Sequence, residues 1–220
     1  MRSQHVDDYN HDAWAEGYDQ DVADESHPIR AGYSALLDWI AAAAEITPAA
    51  RVLELGSGSG NLTLRLPPCR ELVCVDISAG MEALAAPKLA QLSNRCFIQE
   101  DILAVFDRPD LGRFDCILSA YTIHHLTEAE KAALFAQIWQ RLLPGGRAVF
   151  GDLMLESADR QAELAARYRA EGQHGTAESI EEEFFWRVDT AVEALSRLGF
   201  AVQVQRFSEL SFGLLCVKGI

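Results

Sequence analysis

The chain has 220 residues, nearly half of them apolar, which suffices for one sizeable α/β core and allows at most two domains. Its 33 acidic against 19 basic side chains leave a formal charge of −14, and the basic residues are dispersed, which argues against a cationic face for nucleic-acid phosphates. No apolar run approaches the ~20 residues of a membrane-spanning helix, and MRSQHVDDYNHDAW lacks the apolar stretch of a secretory leader, so a cytoplasmic protein is expected. The five cysteines (Cys69, Cys74, Cys96, Cys116, Cys216) are odd in number, form no C-x-x-C pair and mostly sit in strand-like stretches. They read as small buried side chains in a reducing compartment, with no metal site expected.

From Asp7 to Ser26 the sequence is polar with interleaved Tyr9, Trp14 and Tyr18, and predicts one or two short helices. Ala31, Leu36, Leu37, Ile40, Ala41 and Ala44 fall near helical spacing, with Pro48 beyond the end. Short apolar runs then alternate with helical patterns. The strands are predicted over 51–55, 72–75, 95–98, 114–119 and 147–153; the helices over 61–66, 78–92 and 128–143. Ser78 is placed as an N-cap, and Pro144-Gly145-Gly146 ends the third helix. Such alternation implies a parallel sheet covered on both faces. After a helix over 190–198, two runs over 201–207 and 212–218 stand close enough to form an antiparallel hairpin. The expected architecture is a single doubly wound, mostly parallel seven-stranded sheet. It would carry a helical N-terminal lid (1–46), a cofactor-binding core (51–153), a substrate cap (156–186) and the C-terminal hairpin (201–218).

The local signal with most chemical content is Val52-Leu53-Glu54-Leu55-Gly56-Ser57-Gly58-Ser59-Gly60-Asn61-Leu62, a strand feeding a glycine turn that feeds a helix. Glycine permits positive φ and lets a ligand approach bare backbone. The spacing is G-x-G-x-G rather than the G-x-G-x-x-G of a dinucleotide site, and it follows an acidic residue that the dinucleotide fingerprint does not require. Asp76 ends the next strand, where a carboxylate can accept from two ribose hydroxyls. Asp101 follows the third strand, where a carboxylate can accept from an adenine amine while the Ile102 N–H donates to a ring nitrogen.

Taken together, the glycine segment, Asp76, Asp101, the strand Phe114 to Ser119 and Leu142-Leu143-Pro144-Gly145-Gly146 resemble the successive motifs of class I S-adenosylmethionine-dependent methyltransferases, in order and spacing. The closer resemblance is to a small, free-standing bacterial branch that acts on small molecules. The resemblance implies S-adenosylmethionine as cofactor and S-adenosylhomocysteine as product. Gly56 and Gly58 would pack beneath the methionine portion, Asp76 would hold the ribose hydroxyls and Asp101 with Ile102 the adenine, and Glu54, Ser57, Gly60, Ile77 and Met81 would be further cofactor-binding residues. Ser119, Ala120 and Tyr121 would lie beside the sulfonium, and Tyr18-Asp19 matches a recurring pair in the family's N-terminal region.

Methyl transfer from a sulfonium needs position and a dry site, and needs a base only when the acceptor must lose a proton. His124 and His125 are the candidate bases, His124 being slightly favoured, and Trp14, His174 and Glu183 are candidates for the acceptor side. Ser119-Ala120-Tyr121-Thr122 is not the Asn/Asp-Pro-Pro-Tyr/Phe of adenine or glutamine methylation, and no carboxylate cluster for a catechol-type metal lies there. The single Pro-Cys pair, Pro68-Cys69, lies on the wrong side of the second strand for a cytosine nucleophile. A small-molecule acceptor with O, N or S as nucleophile is therefore expected, with no nucleic-acid or membrane partner and a monomer or homodimer. The alternatives are a non-catalytic binder of the cofactor and a nicotinamide-dependent oxidoreductase.

Overall fold

The computed structural model describes residues 1–7, 10, 12, 15, 17–182 and 184–219, the side chain of Glu182 excepted. Trp14, Tyr9 and Glu183 lie outside them.

Five strands run parallel, as the alternation requires: β1 (Arg51–Leu55), β2 (Glu71–Asp76), β3 (Arg95–Gln99), β4 (Phe114–Ala120) and β5 (Leu142–Leu155). After them come a two-residue strand β6 (Trp186–Arg187), then β7 (Phe200–Arg206) and β8 (Ser211–Lys218). The sheet order is β3-β2-β1-β4-β5-β8-β7, with β6 added in parallel to the end of β5. The last two strands form the expected antiparallel hairpin, and β8 rather than β7 pairs with β5, Val149 opposite Leu215. The order changes direction between β1 and β4. The C-terminal side of such a switch is the place where open α/β sheets bind ligands.

Both faces are buried, so successive strand residues feed opposite layers. Leu53 and Leu55 of β1 and Ile117 of β4 pack with α4 (Glu128–Arg141) and α7 (Val188–Arg197). Val52, Cys116 and Leu118 pack on the other face with α2 (Tyr33–Ala43), α5 (Ala158–Ala170) and α6 (His174–Glu182). Ser78 caps α3 (Ala79–Lys88) by accepting from the Met81 N–H at 3.0 Å. Thr127 and Glu130 close a capping box at the start of α4.

Two expectations change in detail. The helix expected over 61–66 is a single tight turn, Thr63–Arg65, because Leu66-Pro67-Pro68 cannot continue it. Cys96 is exposed rather than buried: it lies on β3, the edge of the sheet, whereas Cys74, Cys116 and Cys216 are buried as expected.

Candidate functional site

The turn after β1 is held by hydrogen bonds to the neighbouring strand. Gly56 and Ser57 N–H groups both donate to the Val75 carbonyl, at 2.8 and 3.0 Å. Gly56 and Gly58 have φ of +68° and +50°, which a side chain rarely adopts. A Cβ on Gly56 would meet Thr122 Oγ1 at 2.1 Å, so the glycine lets the loop after β4 close against the turn. A Cβ on Gly58 would meet nothing within 4 Å, because that face of the backbone is bare toward open space. Beneath the turn, Glu54 is buried and accepts from Thr63 Oγ1 at 2.7 Å. Burial pushes its carboxyl up to about 8, with the Thr63 bond only partly offsetting that, so it is largely protonated at neutral pH.

The two carboxylates singled out in the sequence stand at the ends of neighbouring strands. Asp76 accepts from the Gly58 N–H through Oδ2 at 2.7 Å and from the Ser78 N–H through Oδ1 at 2.9 Å, so one side chain fixes both the glycine turn and the entry to α3. Asp101 turns one oxygen, Oδ1, to the N–H groups of Leu103 and Ala104 at 2.9 and 3.0 Å. Both line a cleft of about 700 Å³, together with Gly56, Gly58, Ile77, Met81 and Ile102 at one end. A smaller hollow of about 320 Å³ continues beside the turn, lined by Glu54, Ser57, Ser59 and Asn61. Tyr18 and Tyr121 border both spaces, and burial pushes the hydroxyl of each well above its ordinary range.

The other end of the cleft is made by the loop after β4 and by the N-terminal segment. Tyr121 adopts φ +49°, a left-handed conformation unusual for an aromatic residue. It is held there by its N–H to Gly151 O at 2.8 Å and its hydroxyl against Ser211 Oγ at 2.8 Å. Of the two histidines, His125 lines the cleft and His124 lies buried behind it, their ring centroids 3.9 Å apart. Opposite them run Ser3, His5 and Val6, with the Gln4 N–H bonded to Glu130 Oε1 at 2.7 Å and His5 packed on Phe184, centroids 5.1 Å apart. Further along, Asp12 receives Ser78 Oγ at 2.6 Å and the Gly80 N–H at 2.8 Å; these bonds hold its carboxyl below the usual range. Asp19 receives Ser59 Oγ at 2.5 Å, Asn61 Nδ2 at 3.1 Å and Lys88 Nζ at 2.8 Å. Partial burial pushes the Asp19 carboxyl up, but those three donors outweigh it and leave it below the usual range.

Of the sequence candidates, Tyr18, Gly56, Gly58, Asp76, Ile77, Met81, Asp101, Ile102, Ala120, Tyr121 and His125 share the main cleft, and Glu54 and Ser57 the hollow beside it. Ser119 points into the sheet instead, donating to Leu55 O at 2.9 Å, and Gly60 packs against Leu89. His174 begins α6 on the exposed surface and is not among the residues lining the cleft. The sequence reading missed Ser3, His5, Val6, Thr122 and Leu126. No spacing rule marks the first three, whereas Thr122 and Leu126 flank the noted histidines. It also missed Asp152, which underlies the histidine pair and reads in sequence as one more polar residue near a strand end.

The cradle fits an adenosyl ligand: bare backbone at Gly58 and a carboxylate at each of two adjacent strand ends lie along one cleft. The stretch 52–146 matches the model of a methyltransferase domain family. An uncharacterized methyltransferase of Geobacillus kaustophilus is 34% identical over 209 residues, covering 93% of this chain and 94% of that one. The uncharacterized methyltransferase YrrT of Bacillus subtilis is 30% identical over the same shares of the two chains. Among solved structures, the DhpI-SAM-HEP complex superposes with a TM-score of 0.69 at 21% identity over 98% of this chain and 99% of that one. N-methyltransferase NodS from Bradyrhizobium japonicum WM9, in complex with S-adenosyl-L-homocysteine, gives 0.64 at 18% identity over 98% and 97%. At those identities the structural likeness is one of fold, but the sequence relatives span nearly the whole chain. The chain belongs to the methyltransferase family of these relatives, and its fold is that of the class I S-adenosylmethionine-dependent methyltransferases.

Proposed function

We propose that the protein binds S-adenosylmethionine as its cofactor and transfers the methyl group to a small-molecule O, N or S acceptor by in-line displacement. When bound, the cofactor supplies a methyl group on a sulfonium whose departure leaves a neutral thioether, so the protein's work is placement and exclusion of water. Asp76 would hold the ribose hydroxyls and Asp101 with the Ile102 N–H the adenine. Gly56 and Gly58 would pass beneath the methionine portion, and Glu54 would face its ammonium end across the smaller hollow. Ala120 and Tyr121 would flank the reacting sulfur, with the acceptor entering between residues 122–126 and the segment 3–6.

The observation that carries this reading is the single cleft that joins both strand-end carboxylates to a second end lined by two imidazoles, two hydroxyls and two aliphatic side chains. Such an end suits a compact molecule better than a polymer. The test is transfer of a radiolabelled methyl group, from cofactor and protein incubated with a deproteinised, nucleic-acid-free bacterial extract. Label in the low-mass fraction is expected; label accepted only from added protein or RNA would contradict the reading.

A further inference from the structure

Besides the residues of the cofactor cradle, the cleft is lined by Ser3, His5, Val6, Thr122, His125 and Leu126: two imidazoles, two hydroxyls and two aliphatic groups. Among the described residues lining the cleft, none is Lys or Arg, and these six include no Asp or Glu, so neither an anionic nor an ammonium group on the acceptor would meet a counter-charge among them. The nearby Lys131 is buried and committed, its ammonium bonded to the Phe184 carbonyl and to Glu128 Oε1.

Behind His125 lies an arrangement for which neither cofactor binding nor folding of the sheet calls. Asp152, on β5 and buried, accepts four bonds. The Ile123 and His124 N–H groups reach Oδ2 at 2.8 and 3.2 Å, and the Leu153 N–H reaches Oδ1 at 2.8 Å. The fourth partner is His124 Nδ1, 2.5 Å from Oδ1. Every other partner of the carboxylate is a backbone N–H donor, so His124 Nδ1 is the one side-chain nitrogen that shares it among these four bonds. The fixed His124 ring is wedged between His125, 3.9 Å away, and the edge of Phe185, 6.0 Å away. Asp152 therefore sets both the backbone of the turn that carries His125 and the ring that buttresses it.

Resting on the methyl-transfer reading above, we propose that the acceptor is an uncharged protic molecule, a thiol or hydroxyl on a small apolar body, that His125 takes its proton, and that Asp152 is the positioning residue for His125. In the step, the acceptor's X–H bond breaks and its proton passes to an imidazole nitrogen of His125. The pair left on X forms the bond to the methyl carbon as the methyl's bond to sulfur breaks, that pair staying on sulfur. The imidazolium then returns its proton to water. The titratable groups around this proton are His5 and Tyr18 from the N-terminal segment, His124 beside it, Asp152 and Lys131 behind it, and Asp76 and Asp101 toward the cofactor end.

A set of size-matched acceptors tests this: benzyl mercaptan, benzyl alcohol, benzylamine, benzoate and thiophenol, with labelled cofactor at neutral pH. Thiophenol is the decisive member because it is ionised already and needs no base; its anion, entering without a counter-charge, binds more weakly, so it is compared with the protonated acceptors in kcat and not in KM. Transfer is expected to benzyl mercaptan or benzyl alcohol and to thiophenol, and not to benzoate or benzylamine. For the protonated acceptor, His125→Gln lowers kcat by about a hundredfold or more, in the range removal of a base gives. Asp152→Asn lowers kcat for it by roughly tenfold or more while KM changes little, and with thiophenol both losses shrink to a few-fold. Calorimetric affinity for S-adenosylhomocysteine stays within about threefold in both variants. Should Asp152→Asn fail to fold, His125→Gln, on the cleft surface, decides alone. Transfer only to benzoate or benzylamine, transfer to none of the five, or equal losses with protonated and ionised thiols would overturn the proposal. Retained S-adenosylhomocysteine binding would then show that the cofactor reading survives, whereas loss of that binding in the parent protein would sink both.

Discussion

The Glu54 side chain is 1% exposed and carries a proton that an ordinary glutamate loses near 4.5. Because its folded value is raised to about 8, the native state binds the extra proton between those limits. This contribution to stability is complete below about 4.5 and is lost as pH rises through about 8. Glu54→Gln keeps the shape without the titration. Urea unfolding at about pH 5 and about pH 8 should show a smaller drop for the variant than for the parent; an equal drop would mean that Glu54 is ionised throughout. At the same scale, Gly56→Ala must push Thr122 aside at a backbone φ of +68°, so S-adenosylhomocysteine affinity should fall at least tenfold by calorimetry. Unchanged affinity would show that the turn and the loop after β4 are not in register as described.

At the scale of elements, the N-terminal segment crosses the cleft and is tied down on the cofactor side by Asp12 at the start of α3 and by Asp19 on the glycine turn. These ties are polar contacts made by two exposed aspartates, each of modest strength. Asp19→Ala should therefore leave the melting temperature nearly unchanged. It should speed release of S-adenosylhomocysteine by roughly three- to tenfold in stopped-flow measurements; an unaltered release rate would argue that the segment does not gate the ligand. This segment also marks where the sequence stops being informative. The glycine turn, Asp76 and Asp101 were legible because strand ends and positive-φ turns demand particular residues at fixed intervals. Ser3, His5 and Val6 occupy the cleft through contacts with Glu130 and Phe184, more than a hundred positions away, and no local pattern encodes such pairings. The same limit hid Asp152, whose partners at 123 and 124 come from another strand's loop, and the left-handed Tyr121, which tertiary hydrogen bonds hold against its intrinsic preference. The preference between the histidines turned on which adjacent ring faces outward, which a single turn of helix decides.

At the scale of the whole molecule, the sheet is a rigid floor that sets the distance between its strand ends. Its tightest seam is where α2 lies on β5 and β8. A Cβ on Gly213 would stand 2.3 Å from Trp39, and one on Gly151 2.6 Å from Ile40. Gly213→Ala should cost about 1–3 kcal/mol in denaturant unfolding without changing which acceptors are used. The doubly wound parallel sheet and the hairpin that completes it were legible from alternating runs and a short final connection, whereas the strand order, with its switch between β1 and β4, was not. Whether one ligand spans the strand ends of β1, β2 and β3 is tested most directly by titration calorimetry of S-adenosylhomocysteine into the parent and into Asp76→Ala. One-to-one binding that weakens at least tenfold in a folded variant is the predicted result; no binding by the parent, or equal binding by both, would contradict it.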